Sequence, residues 1–332
     1  MFPNPLARQY VHEEPGVSYT ALPSIDTLQE PSRCPEGTIV VEHKEDAASG
    51  LRYRTGPPAP TSIITTRIAT RRLPPMNQNV PRDVLEFLTD YPSNSNNLSQ
   101  SDNLLFYQNK LRCRPDRLTI DELHERWQGA YDTLEYKHGF IQWLFPIQEY
   151  GMNSQSQPLQ RHELETMRSS PEIIQRVIRS YKLMLDFYGM RLLDEKTGLL
   201  DRVLPPRTFE RRYRNLVQSS HNNLRISRIL KCLSEMGLEH LNVGFVLHIL
   251  NEQSEHKELA TGMLKGSMDR WWANCNRNEE EREWVAELIC RVRSSGGKWV
   301  FTRDMYVKAL KRRDERGSLG FDDVDEGVNM GA

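Results

Sequence analysis

The chain has no window of about 18 uninterrupted apolar residues, so no transmembrane helix is expected. Its mean hydropathy is −0.65. Residues Met1 to Pro5 lack a basic stretch followed by an apolar run, so no secretory signal peptide is expected either. We therefore predict an intracellular protein and exclude a cell-surface receptor with its own membrane span.

Cysteines and catalytic motifs are also scarce. The five cysteines form no CxxC pair, which favours reduced thiols over a disulfide framework or a zinc site. The patterns GxSxG, GxxxxGK[ST], GxGxxG and HExxH do not occur. We predict no catalytic residues, no bound cofactor and no metal, and therefore a protein that is not an enzyme.

Proline and tryptophan divide the chain. Most of the 19 prolines lie before residue 100, and all six tryptophans lie after it. Proline-rich polar sequence cannot bury enough surface to offset its ordering entropy. We predict a largely disordered, proline-rich segment over 1–98, one globular domain over 99–313, and a flexible acidic tail over 314–332. The formal net charge of −1 does not favour steering of nucleic acid by the whole protein.

Helical signals dominate the globular part. Thr119 and Glu122 have the capping-box spacing, Pro171 follows the N-cap candidate Ser170, and Gly189 is placed to end the helix that follows. Further helices are predicted over 81–88, after Pro206 to about 217, up to 236 with Asn222 or Asn223 as the N-cap, over 243–250, and from Asn278 onward. A small hairpin or loop is predicted over 191–203, with its turn at 196–198. Because strands and helices do not alternate, the fold class is all-α, a single irregular multi-helix domain.

The run from Ile141 to Phe145 is the most apolar segment. Core packing is favoured for it, with a ligand or peptide groove as the alternative. Trp143 is predicted to share a core with Trp127. Gln142, a polar residue within the run, bonds to backbone or faces a site. For His138 and His221, a structural role is favoured over catalysis.

Arginines form a second candidate site. Arg207, Arg211 and Arg214 are spaced to share one helical face, as are Arg225, Arg228 and Lys231 on the following helix. If these helices are antiparallel neighbours, the two rows converge on a patch able to hold phosphates or an acidic partner. A solvated face is favoured over this patch. Because exposed charges contribute little to stability, replacing Arg211, Arg214, Arg225 and Arg228 with glutamine is expected to leave folding intact.

Several segments resemble the conserved domain of the opioid growth factor receptor family. Residues 138–146 read HGFIQWLFP and residues 221–230 read HNNLRISRIL, with further matching segments at 103–109, 121–127, 131–135, 180–189 and 233–239. The resemblance covers roughly residues 100–310. It implies a receptor for an enkephalin-type peptide, a role in growth regulation, and a nuclear or perinuclear location with peripheral membrane association.

Two functions from different classes follow. The first is a non-catalytic, opioid-growth-factor-receptor-like protein that binds a short enkephalin-type peptide or another signalling ligand. The alternative is an adaptor that binds nucleic acid or an acidic partner through the arginine face. The candidate binding residues are Arg207, Arg211, Arg214, His221, Asn222, Arg225, Arg228, His138, Gln142 and Trp143. The sequence makes no prediction of oligomeric state.

Overall fold

A computed structural model describes residues 80–321, and the chain is mostly helical there. Its helices are α1 Arg82–Leu88, α2 Asp102–Tyr107, α3 Ile120–Trp127, α4 Tyr131–Tyr136, α5 Phe140–Leu144, α6 Arg161–Ser169, α7 Pro171–Tyr188, α8 Phe209–Gln218, α9 His221–Glu235, α10 Glu239–Asn251, α11 Gly262–Arg270, α12 Glu279–Ser294 and α13 Arg303–Arg316. A π-helical turn, Glu252–His256, continues α10, and a short 3-10 turn, Trp272–Asn274, follows α11. The all-α prediction is confirmed.

Helix α7 begins and ends where its sequence signals predict. The Ser170 side chain accepts from Ile173 N at 3.4 Å, and Pro171 occupies the first turn, where its missing N–H costs nothing. Gly189 ends the helix with φ +86°, in the left-handed region that favours glycine. Thr119 and Glu122 form the predicted capping box at the start of α3. These local signals fix the ends of two helices that contact each other in the core.

Helix α10 lies at the centre of the domain. Every residue from 241 to 251 is buried, as expected of a helix that is covered on all sides. It packs against α9, α12 and α13, and against a two-stranded antiparallel hairpin formed by β1 Met190–Asp194 and β2 Leu199–Arg202. Gly198, in the hairpin turn, has φ +80°, and a Cβ there would stand 2.2 Å from His240 O. The turn therefore needs glycine to approach α10.

The start of α9 differs from the prediction. The helix begins at His221 with Ser220 before it, so Asn222 and Asn223 lie inside its first turn instead of capping it. Asn222 is fully buried and its Nδ2 donates to Glu135 at 3.4 Å. Because this amide bonds to another helix, it does not serve as a local cap.

Helix α1 packs on the main body of the domain. Val84 and Phe87, three positions apart on one face, are fully buried. Asp83 lies 2.9 Å from the ammonium group of Lys231 in α9. The short helix predicted over 81–88 is therefore confirmed, and its apolar face and one carboxylate have partners on the main body. The predictions for residues 1–79 and for the tail beyond 321 lie outside the described residues.

Two buried histidines make the fold sensitive to acid. Burial lowers the pKa of both His124 and His248 to about 4, from an unfolded value near 6.5. As pH falls, the unfolded chain therefore takes up these protons first, so stability present above about pH 6.5 is lost between about pH 6.5 and about pH 4. We expect each histidine to cost about 2 kcal/mol at about pH 5.

The variant His124→Asn tests this expectation, because it replaces the imidazole, which lies 2.8 Å from Ser180 Oγ, with an amide that does not titrate in this pH range. Urea unfolding gives the free energy of unfolding at about pH 7.5 and at about pH 5. Between these two pH values, the free energy of His124→Asn should fall by about 2 kcal/mol less than that of the parent. His256→Asn, at an exposed position, should lose as much as the parent. If His124→Asn also loses as much as the parent, the imidazole of His124 is not the acid-sensitive group.

Candidate functional site

The segment 138–146 forms α5 and the turns around it. All five residues of the helix are buried. Trp143 is 1% exposed, packs against Phe106 with tilted rings at 5.4 Å between centroids, and donates from Nε1 to Arg114 O at 3.0 Å. Phe140 meets Trp127 edge to face at 5.2 Å. The prediction that Trp143 and Trp127 share one core is confirmed. Trp143 is thus a core residue and does not line the groove described next.

A groove separates α5 and its following loop from α9. Its cavity volume is about 310 Å³. Six residues of α9 line one wall, at steps of three, one, two, one and three: His221, Leu224, Arg225, Ser227, Arg228 and Lys231. This spacing places them along one helical face about 15 Å long. Ile141 and Gln142 of α5 contribute to the opposite wall.

The rim of the groove is apolar and exposed. Tyr150 is 87% exposed, Met152 is 95% exposed and Leu224 is 72% exposed. Ile147 and the half-buried Trp271 add further apolar surface. Large exposed apolar side chains that share one cavity mark a binding surface more specifically than isolated ones do.

Gln142 forms hydrogen bonds that connect the rim of the groove to α5. In the amide orientation that satisfies both of its polar groups, Gln142 donates to Gly139 O and accepts from Met152 N, each at 3.1 Å. The side chain therefore bonds to backbone and also lines the groove, so both roles predicted for it occur together. Through this contact, the loop that carries Met152 is held against the helix.

Arg225 is a structural cation. Its side chain donates to Leu134 O at 2.8 Å and to Lys137 O at 2.7 Å, at the C-terminal end of α4, where a positive charge is favourable. Burial lowers its pKa. Arg225 is 5% exposed. The expectation that it is an exposed charge, replaceable without an effect on folding, is wrong.

Arg228 lies one turn further along α9 and is half-buried. Its Nε donates to Phe145 O at 2.8 Å, at the C-terminal end of α5. Burial lowers its pKa to about 10, so the guanidinium stays charged at neutral pH. No carboxylate among residues 80–321 forms an ion pair with it.

Lys231 forms two ion pairs at one end of the groove. It is 2% exposed and lies 2.9 Å from Asp83 Oδ2 and 2.6 Å from Glu149 Oε1. Burial alone would lower its pKa, but neighbouring anionic groups, including Glu149 and Asp83, raise it above its ordinary value. One ammonium group therefore serves two carboxylates, which come from α1 and from the loop after α5.

The rings of His138 and His221 lie close together at the end of the groove opposite Lys231. The centroids of His138 and His221 are 5.2 Å apart. His138 Nδ1 lies 2.7 Å from Tyr136 O, and His221 Nε2 lies 3.1 Å from Glu135 Oε1. Burial, and then the charge of Arg225, lower the pKa of His221, which favours its neutral form. His138 thus has a backbone contact of the kind that the sequence favours for it, whereas His221 lies beside a carboxylate.

The structure brings together half of the sequence-predicted candidates. His138, Gln142, His221, Arg225 and Arg228 line the groove. The others lie elsewhere: Arg207 pairs with Asp186 at 2.7 Å, Arg211 and Arg214 are exposed on α8, Asn222 is fully buried, and Trp143 is in the core. The predicted single arginine surface is therefore not formed by the exposed guanidinium groups of all five residues.

Other groove residues did not emerge from the sequence. Leu224 follows the same α9 spacing as Lys231, which the sequence did place on this face, and could have been found from it. Asp83, Met152 and Trp271 had no such signal, because they come from a distant helix, a loop and a helix end. Among residues 80–321, no cluster of possible metal ligands occurs, and no helix is long and apolar enough to cross a membrane.

Comparison with known proteins gives a family match over the groove. Residues 96–304 match the model of the opioid growth factor receptor (OGFr) conserved region. The chain is similar to the opioid growth factor receptor of Homo sapiens, at 38% identity over 211 residues, which cover 63% of this chain and 31% of that protein. It is also similar to opioid growth factor receptor-like protein 1 of Rattus norvegicus, at 40% identity over 173 residues, which cover 52% of this chain and 36% of that protein.

The matched region therefore spans about a third of the length of these two relatives. No solved structure matches the chain. The α5 and α9 walls of the groove lie inside the matched region, whereas α1, which supplies Asp83, lies before it.

Proposed function

The chain belongs to the opioid growth factor receptor conserved-region family, and from this premise we propose that it is a non-catalytic receptor-type protein that binds a short enkephalin-type peptide in the groove between α5 and α9. Such a pentapeptide, Tyr-Gly-Gly-Phe-Met, combines aromatic and apolar side chains with two charged ends. The nuclear or perinuclear location expected from the family resemblance forms part of the same proposal.

One observation carries the proposal. The two segments that resemble the family most clearly, 138–146 and 221–230, face each other across the groove and supply its two long walls. Its volume of about 310 Å³ is at the lower end of the range typical of small-ligand sites. Apolar side chains along such a groove, with a few polar groups at its ends, are suited to a short amphipathic peptide.

The chemistry of the three buried cysteines favours a structural role for them. Burial raises the pKa of Cys113 to about 11 and also raises the pKa values of Cys232 and Cys275, so these thiols are not activated as nucleophiles. None of them is among the residues that line the groove.

The arginine-face alternative has lost most of its basis. Arg225 and Arg228 bond to backbone carbonyls within the groove, and Arg207 pairs with Asp186. Arg211 and Arg214 remain as exposed cations of the original set. Two phosphate contacts would give a shallow salt dependence, with a slope of about −2, and supply little affinity.

Isothermal titration calorimetry with the pentapeptide tests the proposal. Leu224→Asp removes an exposed apolar side chain at the rim and adds a carboxylate to the first turn of α9, where the helix dipole tolerates it. We expect binding to weaken by about tenfold or more, since burial of a leucine side chain contributes about 1.5–3 kcal/mol.

The matched control is Leu98→Asp, because Leu98 is 73% exposed, close to the 72% of Leu224, and does not line the groove. The control should bind as the parent does. Absence of peptide binding by the parent, or equal weakening by both substitutions, contradicts the proposal.

A further inference from the structure

Arg228 has donors that the protein leaves unused. A guanidinium group offers five N–H donors. In Arg228, Nε donates to Phe145 O, and no group among residues 80–321 accepts a hydrogen bond from the two terminal nitrogens. By contrast, Arg225 places both of its terminal nitrogens on the carbonyl groups of α4 and the residue after it. The two arginines of α9 thus differ in how completely the fold satisfies them.

Arg228 is half-buried, and its terminal nitrogens remain open to the groove. The side chain lines a groove with apolar walls, and its burial is sufficient to lower the pKa of the guanidinium group. A charged group removed from water is unfavourable unless it is paired and hydrogen-bonded. An anionic ligand group that reached Arg228 would therefore gain more than it would gain from an exposed arginine.

The two carboxylates that line the groove already form ion pairs. Asp83 and Glu149 both contact Lys231, which lies three positions after Arg228. The groove is therefore lined by three cations of α9, Arg225 included, and by two carboxylates that share one of those cations. Charge complementarity favours a ligand that brings one further negative group to Arg228.

We propose that Arg228 forms a carboxylate subsite, which takes the free C-terminal carboxylate of the peptide bound in the groove. The inference rests on the proposed function, because it assigns one end of the ligand to one residue of that site. A planar guanidinium group suits a carboxylate, since two parallel N–H groups can donate to its two oxygens. Ile141, Ile147 and Leu224 line the same groove and would contact the apolar side chain that precedes the carboxylate.

The test compares the pentapeptide acid with the same peptide carrying a C-terminal amide. For the parent protein, we expect amidation to weaken binding by about tenfold or more, as a charge-assisted hydrogen bond is lost. For Arg228→Gln, amidation should change binding by less than about twofold. For Arg228→Lys, which keeps the charge and loses the two-pronged geometry, the effect should be intermediate.

Arg211→Gln is the matched control, because Arg211 is an exposed arginine outside the groove. It should show the full effect of amidation. Equal binding of acid and amide by the parent overturns the subsite and leaves peptide binding in place. Full discrimination by Arg228→Gln also overturns the subsite. Should Arg228→Gln fail to fold because α5 loses its C-terminal contact, the parent and Arg228→Lys still decide the question.

A second pair of probes separates failure of the subsite from failure of the proposed function. If neither peptide binds the parent, the proposed peptide function fails. Saturation-transfer NMR with 3-phenylpropionate and 3-phenylpropionamide then tests the carboxylate subsite alone. Preference for the acid in the parent, reduced in Arg228→Lys and retained in Arg211→Gln, supports it. Equal signals from acid and amide, including no signal from either, overturn it.

Discussion

Replacing Trp143 with alanine is expected to lower the free energy of unfolding by about 3–5 kcal/mol, through loss of apolar burial and creation of a cavity. The indole is 1% exposed and packs against Phe106, and its Nε1 donates to Arg114 O. The substitution therefore leaves a void in the core and one carbonyl with a lost donor. Equilibrium urea unfolding measures the change.

Trp284→Ala is the comparison variant, because Trp284 is half-buried and packs against Phe321 near the end of the described region. Its cost should be clearly smaller, since part of the indole already contacts water. If Trp143→Ala unfolds at the same urea concentration as the parent, the indole of Trp143 is not part of the core and the packing of α5 described above is incorrect.

Replacing Lys231 with methionine is expected to cost about 3 kcal/mol, since removing one partner of a buried ion pair leaves charge uncompensated. Methionine keeps most of the side-chain volume, so the effect reports mainly on charge. The value lies at the lower end of the usual range, because the Asp83 side chain is 46% exposed and is partly stabilised by water.

The triple variant Lys231→Met, Asp83→Asn, Glu149→Gln distinguishes charge from packing. It should recover at least about half of the lost stability, because the two carboxylates are neutralised together with the ammonium group. Lys311→Met removes an ammonium group that is 71% exposed and pairs with Glu315, and it should cost less than about 1 kcal/mol. Equal costs for Lys231→Met and Lys311→Met would show that Lys231 is not effectively buried.

Local side-chain signals predicted several helix ends correctly. The caps Thr119, Ser170 and Asn278 each bond to a backbone N–H three residues further on. Such contacts depend on a few neighbouring residues and are therefore visible in the sequence. Asn222 has the same residue type, but its amide bonds to Glu135, 87 positions earlier. Nothing local distinguishes these two uses of an asparagine.

The groove was predictable only in part. The apolar run in α5 predicted buried aromatics, and the spacing in α9 predicted one shared face, but neither pattern revealed that the two segments face each other. Asp83 lies 148 positions before Lys231, so their contact depends on the tertiary fold. The exposed rim residue Met152 belongs to a loop without periodicity, where sequence patterns carry little information.

Arg225 was mispredicted as an exposed charge for a physical reason. Helical spacing shows which side chains share a face, but it does not show whether that face meets solvent or another helix. The α9 face that carries Arg225 and Arg228 packs toward the ends of α4 and α5, where carbonyl groups accept from both arginines. Arg225 and Arg228 therefore also position those two helix ends.

NMR of methyl groups in the presence of the pentapeptide tests the central claim most directly, namely that the groove between α5 and α9 is the peptide site. Methyl signals of Ile141, Met152 and Leu224, all of which line the groove, should shift progressively and saturate together. Signals of Leu98 and Met263, exposed and outside it, should stay in place. Shifts confined to other methyl groups, or no shifts at peptide concentrations that saturate binding in calorimetry, would contradict the account.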